Sequence, residues 1–205
     1  MVETRRLKEL TGRSGDLLRL PTGNLVVALS GGADSAALAY LIHHQGRDVR
    51  AVHVNHGLPA SDRLEEAARA VARIVGIALE VVRIEVPPGA SIEGQARKAR
   101  YEALLAALQP GETLLTAHTR DDQAETVLMS LLRGAGSAGL AGIPTRIGSV
   151  ARPMLALTRS DTRELAGLAG LPFYDDPSNL DRGLRRNALR LEVIPDLAAR
   201  FNPRL

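Results

Sequence analysis

Cysteine is absent from the 205 residues. That excludes disulfides, thiolate-bound metals and iron–sulfur clusters together. Aromatic residues make up only 2% and tryptophan is missing, so a sheet that stacks bases on aromatic rings is not expected. A base held here would rely on Arg, Tyr or His. Lysine occurs twice, as Lys8 and Lys98, which leaves arginine to carry nearly all the positive charge. No apolar stretch is long enough to span a bilayer. The start, Met-Val-Glu-Thr-Arg-Arg-Leu-Lys, lacks the long apolar run of a signal peptide. A cytoplasmic location with no membrane partner is the expectation.

What is present is enough for a full core: 45% of residues are apolar, and the length suits one domain with a small appendage. The net charge of +3 is unevenly spread. Residues 1–130 carry 15 Lys/Arg and 16 Asp/Glu, a balance of −1, whereas residues 131–205 carry 11 Arg and 7 Asp/Glu, a balance of +4. A large polyanion would sit mainly against the last third. For any single arginine, solvated surface is the simpler reading.

The chain is organised around Leu25-Val26-Val27-Ala28-Leu29, a buried-strand run, followed by Ser30-Gly31-Gly32-Ala33-Asp34-Ser35 and a helical run of Ala and Leu. A glycine turn between strand and helix points backbone N–H groups outward, and the helix start adds partial positive charge, so Ser30–Ser35 can cradle phosphate. No Gly-Lys-[Ser/Thr] closes the loop, which separates it from the P-loop pattern. The structural alternative is a plain corner capped by Ser or Asp.

A short basic helix is expected within residues 3–20. Strands are expected at 25–29, Val49–Asn55, Leu79–Val86 and Thr113–Ala117. Helices are expected from the loop to about Gln45, from a Ser61 N-cap to near Gly76, over Ser91–Leu108 after a Pro87-Pro88-Gly89-Ala90 break, and over Asp121–Arg133. This alternation implies an α/β fold, a doubly wound, mostly parallel, Rossmann-like sheet covered on both faces. If the strand order is 3-2-1-4, the loop and Thr116-Ala117-His118 face each other at the carboxyl ends of neighbouring strands, where ligands bind in such sheets. Ile143–Leu155 reads as two short strands broken at Gly148-Ser149, Thr158–Ala169 as a helix and Phe173–Asn179 as turns. Arg185–Leu197 reads as a basic helix interrupted by Pro195, completing a short helical C-terminal extension.

Three polar segments lie near the expected crevice. His53-Val54-Asn55-His56-Gly57-Leu58 ends the second strand, as rim groups or as hydrogen-bonded turn residues. Arg97 and Arg100 share a helix face. Each is suited to phosphate or base, although Glu93 has the spacing to pair with Arg97. Thr116-Ala117-His118-Thr119-Arg120-Asp121-Asp122-Gln123-Ala124-Glu125-Thr126 is the densest. Thr119 with Asp122 has capping-box spacing, yet Asp121 and Glu125 exceed what a cap needs. Three acids beside a phosphate site suggest Mg²⁺ or a cationic substrate. His118 is a candidate acid or base, or a partner for phosphate.

The Ser-Gly-Gly-x-Asp-Ser loop after an apolar strand resembles the PP-loop of N-type ATP pyrophosphatases. The full set resembles the tRNA(Ile)-lysidine synthetase family: Ser30–Ser35, His53–Leu58, Ala96-Arg97-x-x-Arg100-Tyr101, Thr116–Thr126, Leu131–Gly136, Arg152-Pro153 and Asp176-Pro177-Ser178-Asn179 with Arg186-Asn187. The resemblance implies one catalytic domain over 1–205, with a core at about 22–142 and a basic part at about 143–205. It implies ATP and Mg²⁺ as cofactors, and L-lysine and the isoleucine tRNA with a CAU anticodon as partners. Adenylation of C2 of the wobble cytidine followed by attack of lysine would change reading from AUG to AUA. By the same resemblance Ser30, Gly31, Gly32, Ala33, Asp34 and Ser35 bind ATP, with Asp34 helping to hold Mg²⁺. Arg97 and His118 orient cytosine and α-phosphate, and Asp122 and Glu125 receive lysine. Asp121 serves the metal or a helix cap. Arg100, Arg133, Arg186 and Arg190 are candidates for tRNA contacts, the last three on charge alone. Two departures stand out: Pro59 where the family usually has a basic residue, and a stop at Asn202-Pro203-Arg204-Leu205 where many members continue into further tRNA-binding domains. The rival functions are a silent nucleotide- or tRNA-binding module and another PP-loop tRNA-modifying enzyme. A thiolase among the latter would need cysteines. Oligomeric state is left open.

Overall fold

The computed structural model of the chain describes residues 4–85 and 92–202, with the backbone alone at 92 and 93. The Pro87-Pro88-Gly89-Ala90 break, the helix start at Ser91, the pairing of Glu93 and the last three residues lie outside the described residues.

β1 (Leu25–Ala28), β2 (Val49–Asn55), β3 (Leu79–Arg83), β4 (Thr113–Leu115), β5 (Arg146–Ile147) and β6 (Val150–Ala151) form one sheet in the order β3-β2-β1-β4-β6-β5. The expected 3-2-1-4 arrangement is present and parallel. β6 extends it parallel to β4, and β5 turns back antiparallel through Gly148 at φ +55°. The sheet therefore runs on past residue 142, and the basic last third supplies its two outer strands.

Alternation along β1 sends Leu25, Val27 and Leu29 to one face and Val26 to the other. α1 (Arg5–Leu17), α2 (Ala33–His44), α3 (Ser61–Val75) and α6 (Arg159–Leu168) cover the first face, and α4 (Ile92–Ala106) packs Leu104 on the second. α2 is apolar all round because it is enclosed all round: Ala36, Ala37, Leu38, Ala39 and Ile42 are fully buried. Its alanines let α6 approach closely, which brings the start of α6 beside the glycine loop.

Two local expectations change. Ser61 is the first residue of α3 rather than its cap. Its Oγ accepts the Leu58 N–H at 3.0 Å, and Ala60 holds the cap position at φ +72°. The hydroxyl is used to close the turn after Gly57, so it cannot also cap the helix. The basic C-terminal helix is divided into α7 (Arg185–Ala188), a π-helical turn over Leu189–Val193 and α8 (Ile194–Arg200). Pro195 lacks the N–H that would bond back to Leu191 and its ring crowds that carbonyl, so the backbone widens ahead of it.

Candidate active site

The glycine loop is held by its own hydroxyls and by a close backbone approach. Ser35 Oγ accepts the Ser30 N–H at 3.1 Å, lies 3.0 Å from Ser30 Oγ and donates to the Gly32 carbonyl at 2.9 Å. Gly31 has φ +88°, and a Cβ there would stand 2.2 Å from the backbone oxygen of Leu64 in α3. Only glycine fits. The Gly31 carbonyl accepts the Tyr174 N–H at 2.9 Å, which ties the 173–179 segment to the loop. Gly32 caps α2 with extended backbone and no side-chain bond, so the N–H groups of the first turn face the crevice as an anion cradle.

Asp34, in that first turn, accepts a hydrogen bond from the buried hydroxyl of Thr162 in α6. Burial pushes its carboxyl above the ordinary range, with the Thr162 bond and the nearby Arg159 opposing. The Arg159 Nε lies 3.9 Å from Asp34 Oδ2.

α5 (Arg120–Leu132) brings the three acids of the second motif to the same place. Asp122 Oδ2 accepts from the Thr119 N–H at 2.8 Å and the Thr119 hydroxyl at 3.0 Å, so the capping role exists. Its Oδ1 faces Arg159 and Arg186, each at 3.2 Å. Asp121 also acts at a helix start, though not its own: it accepts the N–H of Arg159, first residue of α6, at 2.8 Å. Glu125 is fully buried. It takes Arg159 Nη1 at 3.1 Å, Arg186 Nε at 2.5 Å, and Arg190 Nε and Nη2 at 2.7 and 3.1 Å. Burial raises its carboxyl, but bonds to Arg190 and Arg186 and the surrounding guanidinium charge overcome this and hold it at about 2.

Arg186 and Arg190 are thus turned inward. Charge alone pointed them toward tRNA phosphate, but four-residue spacing puts both on one helical face, and that face meets the buried Glu125. Arg97 and Arg133 are exposed, and Arg97 and Arg100 lie over the Tyr101 ring at 5.3 and 5.9 Å. At the end of β2, His53 and Asn55 follow the turn-residue reading. His53 Nδ1 bonds the Leu29 carbonyl at 2.8 Å, and Asn55 donates to Glu65 at 2.8 Å.

His118 stands at the end of β4, its Nδ1 3.0 Å from Thr116 Oγ1. Burial drives it down to about 4, with Arg152, Arg97 and Arg186 adding to the fall and Asp122 opposing it. It is neutral near pH 7, able to accept or donate one hydrogen bond. His56 is driven to about 4 by burial, then by Arg100 and His53.

Two residues of this site escaped sequence reasoning, Arg159 and Thr162, and Arg152 stood in the Arg152-Pro153 pair of the resemblance with no role assigned to it. Arg159 was masked by the Thr158–Asp161 capping box, which explains a helix start without it. The available signal was an arginine at the first helical position, where the helix dipole disfavours positive charge. Among the described residues no group of three or more acids or histidines could hold a metal by itself.

A family model described as a PP-loop domain matches residues 2–197. A curated tRNA(Ile)-lysidine synthase from Pseudomonas putida is 44% identical over 185 residues, covering 85% of this chain and 43% of that protein. One from Thermus thermophilus is 44% identical over 194 residues, covering 90% and 38%. The chain spans about two-fifths of the length of these relatives. Among solved structures, a U34-tRNA thiolase from Methanococcus maripaludis has TM-score 0.70 at 18% identity, covering 96% of this chain and 73% of that one. An NMN synthetase from Francisella tularensis has TM-score 0.54 at 18% identity, covering 81% and 71%. At that identity these structures establish the fold alone, a mostly parallel sheet with flanking helices.

Proposed function

The chain belongs to the PP-loop domain family, and from that premise we propose that it carries the catalytic unit of a tRNA(Ile)-lysidine synthetase. This unit uses ATP to join L-lysine to C2 of the wobble cytidine of the isoleucine tRNA with a CAU anticodon, releasing AMP and pyrophosphate. The observation that carries the reading is the meeting of the glycine loop with Asp122 and Glu125 through one guanidinium, that of Arg159. A phosphate cradle and a cation-recognising acid cluster belong to one site, as a reaction between ATP and an amine requires.

The loop Ser30–Ser35 receives the ATP phosphates on its N–H groups. Mg²⁺ in ATP sites takes one or two carboxylates plus phosphates and water. Asp34, with Oδ1 held by Thr162, fits that mode as a single ligand, whereas Asp121 is already bonded to a backbone N–H. When bound, the metal would neutralise phosphate charge. Neutral His118 and the guanidinium of Arg97 orient the cytosine and the α-phosphate, with Arg97 meeting charge as it develops on the phosphoryl group. Arg100 and Arg133 face the tRNA.

Lysine is recognised by Asp122 with Glu125. Asp122 and Glu125 face the guanidiniums of Arg159 and Arg186, and Glu125 also that of Arg190. Both Glu125 oxygens are engaged at 2.5 to 3.1 Å, while Asp122 Oδ1 has only its two 3.2 Å contacts. Asp122 therefore offers the acceptor and Glu125 fixes the arginines around it. A thiolase reading lacks support because the chain has no cysteine.

The test is mass analysis of nucleosides from CAU-anticodon isoleucine tRNA incubated with the protein, ATP and lysine. Cytidine bearing lysine is expected. ATP-dependent binding of tRNA without any modified cytidine would favour a silent binding module.

A further inference from the structure

We propose that Arg152 is the anion anchor of this site: its guanidinium binds a charged oxygen of the substrates, a phosphoryl oxygen of ATP or the carboxylate of the amino acid. The proposal rests on the reading just given and adds a residue to it. Arg152 directly follows β6, at the carboxyl end of the sheet, and β6 lies beside β4 and two places from β1. At about 4.8 Å per strand, that position is within an arginine's length of the end of β4, which carries His118. The side chain is buried, with 8% exposure. Its Nη1 donates to the Pro144 carbonyl at 3.0 Å, and its buried Nε has no partner. Among the described residues it has no carboxylate partner, unlike Arg159, Arg186 and Arg190.

A buried charge without a counter-ion is costly, and a fold gains nothing structural by keeping one. One carbonyl acceptor does not balance a full positive charge. A guanidinium matches the two oxygens of a carboxylate or phosphoryl group through its fork. The Thr116 N–H donates to the Ala151 carbonyl at 3.0 Å, which sets Arg152 beside the strand end that carries His118. The acids around Arg159 take the cationic end of a substrate, and Arg152 takes an anionic end.

The experiment measures equilibrium binding of α,β-methylene-ATP, L-lysine and cadaverine (lysine without its carboxylate) to the wild type, Arg152→Gln and Arg152→Lys. Loss of a hydrogen bond to a charged group corresponds to roughly 10- to 150-fold in affinity. If the anion is phosphoryl, Arg152→Gln weakens the ATP analogue by that factor and leaves the lysine-to-cadaverine ratio unchanged. If it is the carboxylate, lysine falls to the affinity of cadaverine and the ATP analogue is unaffected. Arg152→Lys, which keeps charge but loses the fork, falls between in either case and serves alone if the Gln variant does not fold. The urea midpoint of ligand-free Arg152→Gln is expected at or above that of the wild type, because an uncompensated buried charge is gone. A lowered midpoint with all three affinities unchanged makes Arg152 structural and overturns the proposal. A wild type that binds neither the ATP analogue nor lysine overturns the functional reading, and the anchor with it.

Discussion

Replacing Glu125 by Gln should destabilise the fold by an amount that depends on pH in a defined way. The carboxylate is fully buried and receives four bonds from three guanidiniums. Neutralising it leaves Arg159 with Asp122 and Asp34 and Arg186 with Asp122, and takes from Arg190 the carboxylate that holds it. Breaking a buried ion pair costs about 3–5 kcal/mol. Linkage gives a similar figure: a carboxyl moved from 4.5 to about 2 corresponds to roughly 3 kcal/mol at about 1.4 kcal/mol per unit. For a domain of this size the loss is about 6–20 °C in Tm. The folded carboxyl is depressed, so its contribution is fully present above 4.5 and is lost as pH falls toward 2. Urea titrations followed by circular dichroism at pH 7, 4.5 and 3 should show a gap between wild type and variant that is constant from 7 to 4.5 and narrows below. A gap under about 1 kcal/mol at pH 7, or one that does not narrow, would refute the placement of Glu125 as the hub of the arginines.

Gly31→Ala should abolish ATP binding, because the added Cβ meets a backbone carbonyl that cannot step aside; calorimetry with an ATP analogue checks this, and undiminished affinity would count against the loop geometry. Asp122→Asn keeps a capping acceptor for Thr119 but loses the charge, so the lysine requirement should rise roughly 10- to 150-fold while tRNA-dependent exchange of pyrophosphate into ATP largely survives. If exchange and transfer fall together, the carboxylate serves ATP instead. His56 and His118, both held at about 4, bind protons in the unfolded chain before the folded one. Stability should therefore fall as pH drops from 6.5 toward 4, by up to about 3 kcal/mol for each group, and His118→Gln should flatten that slope.

The sequence by itself determined the frame. β1 reads as a strand because a buried parallel strand is apolar without interruption. The loop reads as a phosphate cradle because two glycines between strand and helix leave few other uses. Alternation of strand and helix, with the handedness of crossovers, was enough for a doubly wound parallel sheet, while the order that sets β1 beside β4, and hence the loop beside His118–Glu125, was only a condition in the sequence and is present in the structure. These inferences depend on local chain geometry and a period along the chain. The partners of the acids were decided elsewhere. Asp122 and Glu125 meet Arg159, Arg186 and Arg190, which lie 34 to 65 residues further on, and nothing in the spacing of either segment specifies that pairing. It follows from α6 docking on the small side chains of α2 and from α7 and the π-helical turn after it presenting Arg186 and Arg190, four apart, to one buried carboxylate. The same docking gave Asp34 the Thr162 hydroxyl and gave Asp121 the first N–H of α6. Arg152 is the clearest case: the sequence marks the Arg152-Pro153 pair as part of the resemblance but gives it no task, and only burial with an unpaired Nε separates it from a solvated surface charge. Charge is a local property of the chain, but whether a charge is compensated depends on which elements pack against it.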